Sequence, residues 1–207
     1  MKYKINDIFY SIQCEGHNAG VPMVFVRFSG CNMRCDIAPG PRSPGGFKCD
    51  TEFESGRMMT LDEIGHAVLK TSYNPGPCSC RWVLLTGGEP GLQVDDRLID
   101  YFQSKKYKLA IETNGSVAIS DKIDWVTLSP KVAEHAVVPE IVNEVKYVRS
   151  SYQSIPKPAV KADHYFISPA SVGGKIPKQN IQRCEELVKE NTFWRISLQT
   201  QHLTGME

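Results

Sequence analysis

Short apolar segments that lead directly into a motif of glycine, cysteine or charged residues recur along this chain of 207 residues. Met23–Ser29 leads into Gly30 and Cys31, and Trp82–Thr86 leads into a Gly-Gly-Glu-Pro motif. These segments lack strict alternation of apolar and polar residues, which is typical of parallel strands buried on both faces. Parallel α/β folds carry their chemistry at the carboxyl ends of the strands. The sequence therefore predicts an α/β fold with its site at that end of the sheet.

The connections between the predicted strands are uneven. A capping box at Thr60 and Glu63 predicts the start of a helix, and a second helix is predicted over Asp95–Lys105. Gly115–Ile123 and Val132–Asn143 are too short or too polar for full crossover helices. We therefore expect a partial, incomplete parallel β/α barrel with several helices shortened or missing. The remaining predicted elements are strands at Leu109–Glu112, Trp125–Leu128, Glu144–Val148, Tyr165–Ile167 and Trp194–Gln199, and a helix at Lys178–Glu190.

Amino-acid composition and net charge exclude several classes of protein. A hydrophobic content of 41% and a charged content of 23% are typical of a globular chain, and the length suits a single domain over residues 1–207. The net charge of +1 argues against binding of nucleic acid through bulk charge. No apolar stretch approaches the roughly 20 residues of a membrane helix, and no secretion signal is visible. We expect a cytoplasmic protein that contacts neither membrane nor nucleic acid.

Three of the seven cysteines fall in one glycine- and proline-rich segment. Cys31 and Cys35 are four positions apart, and thirteen residues separate Cys35 from Cys49. Thiolates favour soft metals, so the segment suits either zinc or an iron–sulfur cluster with one iron left open to a small molecule. The spacing alone leaves both readings open. A zinc site would take its fourth ligand from Cys78, Cys80 or His17.

Three further motifs follow predicted strands. Paired glycines in Gly87–Pro90 allow backbone groups to approach a ligand closely, and the glutamate there can receive an ammonium group. Glu112–Gly115 offers a carboxylate and an amide that can hold ribose hydroxyls. Ser129–Lys131 follows the next strand. Each motif alone is more often an ordinary turn or loop.

Taken together, the motifs resemble those of the radical S-adenosylmethionine (SAM) superfamily. More closely, the chain resembles the 7-carboxy-7-deazaguanine synthase family, whose opening motif is F-x-S-I-Q-G-E-G. The resemblance spans nearly the whole chain. It rests on Ile8–Gly16, Val24–Cys35, Cys49–Thr51, Leu85–Pro90, Ile111–Gly115, Ser129–Lys131, Glu144–Tyr147 and Ser197–Thr200.

Four departures from the family pattern stand out. A loop at about residues 36–48 is inserted between the second and third cysteines. Cys14 replaces the glycine of the opening motif, and Gln201 stands where the family has histidine. Arg149–Asp163 has no recognisable counterpart. The second and third departures concern the substrate side, while the three cysteines themselves are retained.

The resemblance implies one 4Fe–4S cluster per subunit, held by Cys31, Cys35 and Cys49, with SAM on the open iron. It implies reductive cleavage of SAM, hydrogen removal from C6 of 6-carboxy-5,6,7,8-tetrahydropterin, ring contraction and loss of ammonia, in queuosine and 7-deazapurine biosynthesis. No catalytic residues are expected beyond the ligands of the cofactors. The SAM-binding residues are expected to be Lys48, Asp50, Gly88, Glu89, Glu112, Asn114, Ser129, Pro130 and Lys131.

On the substrate side, Arg27 suits a carboxylate because its guanidinium can form two parallel hydrogen bonds. The substrate-binding residues are expected to be Ile12, Gln13, Cys14, Glu15, Arg27, Thr86 and the terminal Glu207. The resemblance also implies a magnesium ion that bridges the Thr51 hydroxyl and the substrate carboxylate. We further expect a homodimer and an electron donor such as flavodoxin or ferredoxin.

Two rival functions remain open from the sequence. An activase that places a glycyl radical on a partner protein shares the cluster and the Gly87–Pro90 motif, but has no need of Arg27 or the opening motif. A zinc-binding module without catalytic activity would explain the cysteines and nothing after Glu89.

Overall fold

A single mixed sheet of nine strands organises the described part of the chain. The computed structural model describes residues 1–35, 49, 51–72, 80–155 and 157–201, so the inserted loop at 36–48 lies outside the described residues, as do Lys48, Asp50 and Glu207. The strands are β1 (Lys2–Ile12), β2 (Pro22–Phe28), β3 (Arg57–Thr60), β4 (Trp82–Gly87), β5 (Lys108–Thr113), β6 (Trp125–Leu128), β7 (Ile141–Arg149), β8 (Lys161–Pro169) and β9 (Arg195–Ile196). The helices are α1 (Leu61–Ser72), α2 (Asp96–Ser104) and α3 (Lys178–Glu190).

The sheet is parallel over most of its width and does not close. Its order is β3-β1-β2-β4-β5-β6-β7-β8-β9, and every pair from β2 onward is parallel. Only β1 pairs antiparallel with its neighbours β2 and β3. The short strands β3 and β9 form the two edges. This confirms the predicted α/β class and incomplete barrel.

The predicted helices form where the local signals place them. Thr60 and Glu63 exchange hydrogen bonds as a capping box, with Thr60 N donating to Glu63 Oε2 over 2.6 Å, and α1 begins at the next residue. Asp95 caps α2 by accepting from Leu98 N over 3.0 Å. Within the described ranges, no helix combines the length and apolar character needed to cross a membrane.

The helices cover one face of the sheet and supply its core. α1 packs on β1, β2 and β3, α2 packs on β5, and α3 packs on β7, β8 and β9. Cys184 of α3 is fully buried beside Leu187 in this core. The connections from β5 to β6 and from β6 to β7 contain no α-helix, only a single 3₁₀ turn at Glu134–Ala136. Because the three α-helices lie on one face of the sheet, its other face is available to line a cavity.

Three strands differ from the prediction. No strand was predicted over Lys2–Ile12, because a bulge near Asn6 breaks its alternation and its outward residues are polar. None was predicted over Arg57–Thr60 either, a segment of only four residues that pairs with β1. The last strand was predicted over Trp194–Gln199, but β9 spans only Arg195–Ile196. Ser197 N still donates to Ile167 O of β8 over 2.8 Å, and beyond it Gln199 and Thr200 bond to the loop that follows β1.

Candidate active site

A cavity of about 1140 Å³ opens at the carboxyl ends of the parallel strands. It gathers residues from both ends of the chain, including all three cysteines of the predicted cluster site. The predicted site residues that line it are Ile12, Gln13, Cys14, Glu15, Arg27, Cys31, Cys35, Cys49, Thr51, Thr86, Gly88, Glu112, Asn114, Ser129 and Lys131. Of the other described predictions, Glu89 and Pro130 do not line the cavity.

The three cysteines occupy one side of the cavity mouth. Cys31 and Cys35 are half-buried and Cys49 is exposed, and none of the three is in a disulfide. Cys31 Sγ accepts hydrogen bonds from Met33 N over 3.4 Å and from Asn114 Nδ2 over 3.7 Å. No group of three His, Cys, Asp or Glu side chains in the described ranges is drawn together tightly enough to chelate an ion. The donor set nevertheless fits an iron–sulfur cluster, because three thiols face one cavity and N–H groups point at sulfur.

The alternative ligands for a zinc site lie elsewhere. Cys80 precedes β4, at the opposite end of the sheet from Cys31, and its thiol is directed at the carbonyl of Pro22 over 3.3 Å. His17 is stacked on His164, with 4.1 Å between ring centroids. Cys78 lies outside the described residues. Neither Cys80 nor His17 can complete a site with Cys31 in this arrangement.

The Gly87–Pro90 motif connects the end of β4 to the cysteine segment. Gly88 N donates to Phe28 O over 3.2 Å, and Glu89 N donates to Gly30 O over 3.0 Å. A Cβ on Gly88 would collide with the Gly30 carbonyl, so only glycine permits this approach. The motif thereby fixes the backbone position of Cys31.

Glu89 is fully buried and stabilises the neighbouring strand end. Its carboxylate accepts from Thr113 Oγ1 over 2.9 Å, from Asn114 N over 2.7 Å and from Gly91 N over 3.0 Å. Burial raises the pKa of Glu89, although these hydrogen bonds partly offset the rise. Its predicted contact with SAM stays a prediction, since here the carboxylate orients Asn114 from beneath.

The motifs expected to surround SAM meet beside Cys31. Asn114 Nδ2 donates to Asn32 Oδ1 over 3.1 Å as well as to the cysteine thiol. Lys131 N donates to Asn114 O over 3.0 Å, and Lys131 Nζ donates to Ser129 Oγ over 2.7 Å. The ends of β5 and β6 therefore present one continuous polar wall next to the cysteines.

Glu112 faces the residues expected to bind substrate rather than this wall. It accepts from Gln13 Nε2 over 3.0 Å and from Thr86 Oγ1 over 2.7 Å. Its predicted role on the ribose of SAM stays a prediction. The observed contacts connect it to the opening motif of the chain, on the other side of the cavity.

A buried ion pair that the sequence reading missed lies in the cavity wall. Lys146 of β7 pairs with Glu15, and their side chains are only 10% and 14% exposed. Gln199 Nε2 donates to the other carboxylate oxygen of Glu15 over 2.6 Å. Burial raises the pKa of Glu15, but Lys146 and Gln199 outweigh burial and bring it below its ordinary value. Burial lowers the pKa of Lys146, but Glu15 and Glu112 outweigh it and raise that pKa.

The turn that carries Glu15 is held by a second buried carboxylate. Glu144 accepts from His17 N over 2.8 Å and from Thr127 Oγ1 over 2.9 Å, and burial raises its pKa. Gly16 has a φ of +69°, and a Cβ there would collide with the Glu144 carboxylate. Gly16 N donates to Ser197 Oγ over 2.9 Å. Gly16, the last residue of the opening motif, is therefore required by both conformation and space.

Replacing Gly16 with alanine is expected to lower the free energy of unfolding by about 3 kcal/mol, because a left-handed φ and a steric clash combine. Gly20→Ala is the matched control: its φ is +91°, but nothing lies within 4 Å of the added Cβ. Only the conformational cost of about 1 kcal/mol applies there. Urea unfolding measures both variants, and equal losses would contradict the role assigned to Glu144.

The whole chain is similar to known proteins. No family model matches it. It is 38% identical to the 7-carboxy-7-deazaguanine synthase of Bacteroides thetaiotaomicron over 98% of each chain. It is 32% identical to that of Burkholderia multivorans over 97% of each chain. Among solved structures, QueE from Escherichia coli superposes with a TM-score of 0.68 at 23% identity, covering 96% of this chain and 94% of the other. The structural likeness supports the partial barrel, and the sequence likeness extends through every motif of the cavity.

Proposed function

The chain belongs to the 7-carboxy-7-deazaguanine synthase family, and we propose that it carries out the ring-contracting radical SAM reaction of that family. The reaction converts 6-carboxy-5,6,7,8-tetrahydropterin to 7-carboxy-7-deazaguanine with loss of ammonia. One observation carries the proposal: a single cavity joins the three cysteines to Arg27 and to the Glu15–Lys146 pair. A zinc module would have no use for the second half of that cavity.

At the cysteine side, we propose that Cys31, Cys35 and Cys49 hold a 4Fe–4S cluster. When bound, the cluster supplies the electron that cleaves SAM. Gly88, Asn114, Ser129 and Lys131 line the cavity beside the cysteines and bind SAM there. Glu89 and Pro130 shape this wall from behind, and Lys48 and Asp50 lie outside the described residues. These residues orient the cofactors and exclude water.

On the opposite side, the residues match the polarity of the substrate. Arg27 is a cation that suits the carboxylate of the pterin. Glu15 is held ionised by Lys146, so it can accept hydrogen bonds from the amino and amide N–H groups at the other end of the pterin. Gln13 and Thr86 are fixed by Glu112 beside them. Arg27 and Glu15 therefore define the orientation in which the substrate binds.

The test is anaerobic incubation of the reconstituted enzyme with SAM, a reductant and the carboxylated tetrahydropterin, followed by mass spectrometry. We expect 7-carboxy-7-deazaguanine and ammonia in equal amounts. Cleavage of SAM with no deazapurine would favour the glycyl-radical activase instead. A colourless protein that retains zinc after reconstitution would favour the binding module.

We also propose a magnesium ion at Thr51, which lines the cavity directly after the cysteine segment. A single hydroxyl is a poor magnesium site, so the substrate carboxylate and waters supply the other ligands. Thr51→Ala is expected to raise the magnesium concentration for half-maximal activity about 10-fold. Thr51→Ser keeps the hydroxyl and is expected to behave as wild type. Activity that is unaffected by a chelator would exclude the ion.

The expected partners complete the proposal. The six described cysteines are all free, which suits the reducing cytoplasm, where flavodoxin or ferredoxin can donate the electron. SAM cleavage driven by either protein in place of a chemical reductant tests the donor. Sedimentation analysis of the reconstituted enzyme tests the expected homodimer.

A further inference from the structure

Phe9, the first residue of the family's opening motif, lies on the cavity wall without a role in the reaction described above. Its position follows from the irregularity in β1. Before the bulge, Tyr3 and Ile5 point to the helix-covered core; after it, Ile8 packs there instead. The shift turns Phe9 to the opposite face, into the cavity, and leaves Tyr10 47% exposed on the other side.

Phe9 lies under the guanidinium of Arg27. The Arg27 Cζ is 5.4 Å from the centroid of the Phe9 ring, within the range of a cation–π contact. Phe9 is itself stacked on Phe25, with ring centroids 4.9 Å apart and an interplanar angle of 11°. Phe25 and Arg27 are on the same face of β2, and all three residues line the cavity. The two rings and the guanidinium thus form a continuous stack along the cavity wall.

Arg27 is half-buried and its guanidinium has no anionic partner in the described part of the chain. Its Nε is buried and has no hydrogen-bond partner among the residues that the structure describes. No carboxylate in those ranges forms an ion pair with Arg27. Because the Nε is closed off from the cavity, a ligand there would bind the terminal N–H groups of the guanidinium. The π face of Phe9 stabilises the charge while leaving the in-plane N–H groups free.

We propose that Phe9 is a positioning residue for substrate selection, because its ring holds the Arg27 guanidinium in place for a carboxylate of the substrate. An arginine side chain has many rotamers. If its rotamer is fixed before the substrate binds, binding costs less side-chain conformational entropy. A carboxylate side chain paired with Arg27 would fix the guanidinium equally well. It would, however, occupy the N–H groups that the substrate carboxylate needs. The inference rests on the proposed function, since it takes the pterin carboxylate as the group that Arg27 binds.

The alternative is that Phe9 only fills space in the cavity wall. A filling role would weaken binding of every pterin, whereas a positioning role weakens only binding of pterins that carry the carboxylate. The test therefore measures affinity for two ligands, the carboxylated tetrahydropterin and tetrahydropterin without the carboxylate. Equilibrium titration of the enzyme loaded with cluster and SAM, without reductant, prevents turnover.

Phe9→Leu keeps an apolar side chain but removes the π face. It is expected to weaken binding of the carboxylated ligand by about 3- to 30-fold, the range of a cation–π contact, and leave the other ligand unchanged. Phe9→Tyr retains a ring and is expected to restore binding. Tyr10→Leu, an aromatic change at the next position on the opposite face, is expected to have no effect. In an Arg27→Met background, Phe9→Leu is expected to cause no further loss.

Equal losses for both ligands in Phe9→Leu would overturn the inference, as would additive losses in the double variant. Melting temperature and iron content of each variant establish that it has folded and loaded. If wild-type enzyme binds neither pterin, the proposed function is overturned and the inference falls with it. If wild type prefers the carboxylated ligand and Phe9→Leu retains that preference, only the inference is lost.

Discussion

Changing Cys35 to alanine is expected to abolish the iron–sulfur absorbance of the reconstituted enzyme and to reduce SAM cleavage to background. Three cysteine ligands hold three irons of the cluster and leave the fourth open for SAM. With only two thiolates, a second iron loses its protein ligand and the cluster is not retained. Cys31→Ala and Cys49→Ala are expected to give the same result, because all three side chains line one cavity. The iron–sulfur absorbance and the release of 5′-deoxyadenosine after anaerobic reconstitution would be measured together.

Cys80→Ala is the matched control for this prediction. Its thiol is buried at the opposite end of β4 and is directed at a backbone carbonyl, away from the cavity. We expect full cluster content and SAM cleavage in that variant. Retention of the cluster in Cys49→Ala would show that Cys49 is not a ligand, and would contradict the assignment of the site.

Changing Lys146 to methionine is expected to lower the free energy of unfolding by about 3–5 kcal/mol, since it leaves the Glu15 carboxylate buried without its cation. Substrate binding is expected to weaken as well, because Glu15 then becomes protonated and loses an acceptor. Glu15→Gln combined with Lys146→Met removes both charges and is expected to recover most of the stability. Lys122→Met, which breaks an exposed pair with Asp96 and Asp100, is expected to have no measurable effect.

The Lys146 effect is expected to depend on pH in a defined direction. In wild type the pKa of Glu15 is lowered, so the pair stabilises the fold above the unfolded pKa of about 4.3. That contribution is lost as the pH falls through the lowered pKa of Glu15. The pKa of Lys146 is raised, so its contribution is complete below about pH 10. The stability difference between wild type and Lys146→Met therefore narrows as the pH falls. A difference that widens in acid would contradict the ion pair.

The sequence predicted the parallel strands well because continuous apolar runs are a strong local signal. Trp125–Leu128 is observed as predicted, and the strand predicted over Trp82–Thr86 extends by only one residue. It missed β1, because the bulge near Asn6 moves the apolar residues from odd to even positions and conceals the period of two. The last strand was predicted too long, because Gln199 and Thr200 bond to Glu15 and Cys14 of a distant loop, contacts that no local signal reports.

In the cavity, too, local signals could be predicted and long-range contacts could not. Motifs that follow strands were found because the strand and its motif are adjacent in sequence. The Glu15–Lys146 pair joins residues 131 positions apart, and no local pattern reports such a contact. The only signal was Lys146 itself, a charged residue between apolar neighbours in the middle of a buried strand, which requires a carboxylate nearby. Nothing in the sequence indicated which carboxylate.

The bonds between the loop after β1 and the segment after β9 also determine when the cavity can exist. Gly16 and Ser197, Glu15 and Gln199, and Cys14 and Thr200 are 181 to 186 positions apart. Closing so long a loop is entropically unfavourable until the intervening strands have folded. During synthesis, the loop after β1 therefore cannot form these bonds until almost the entire chain has been made. A nascent chain can complete its helix-covered core around β1 to β5 long before it can bind a pterin, so ligand binding reports the last step of folding.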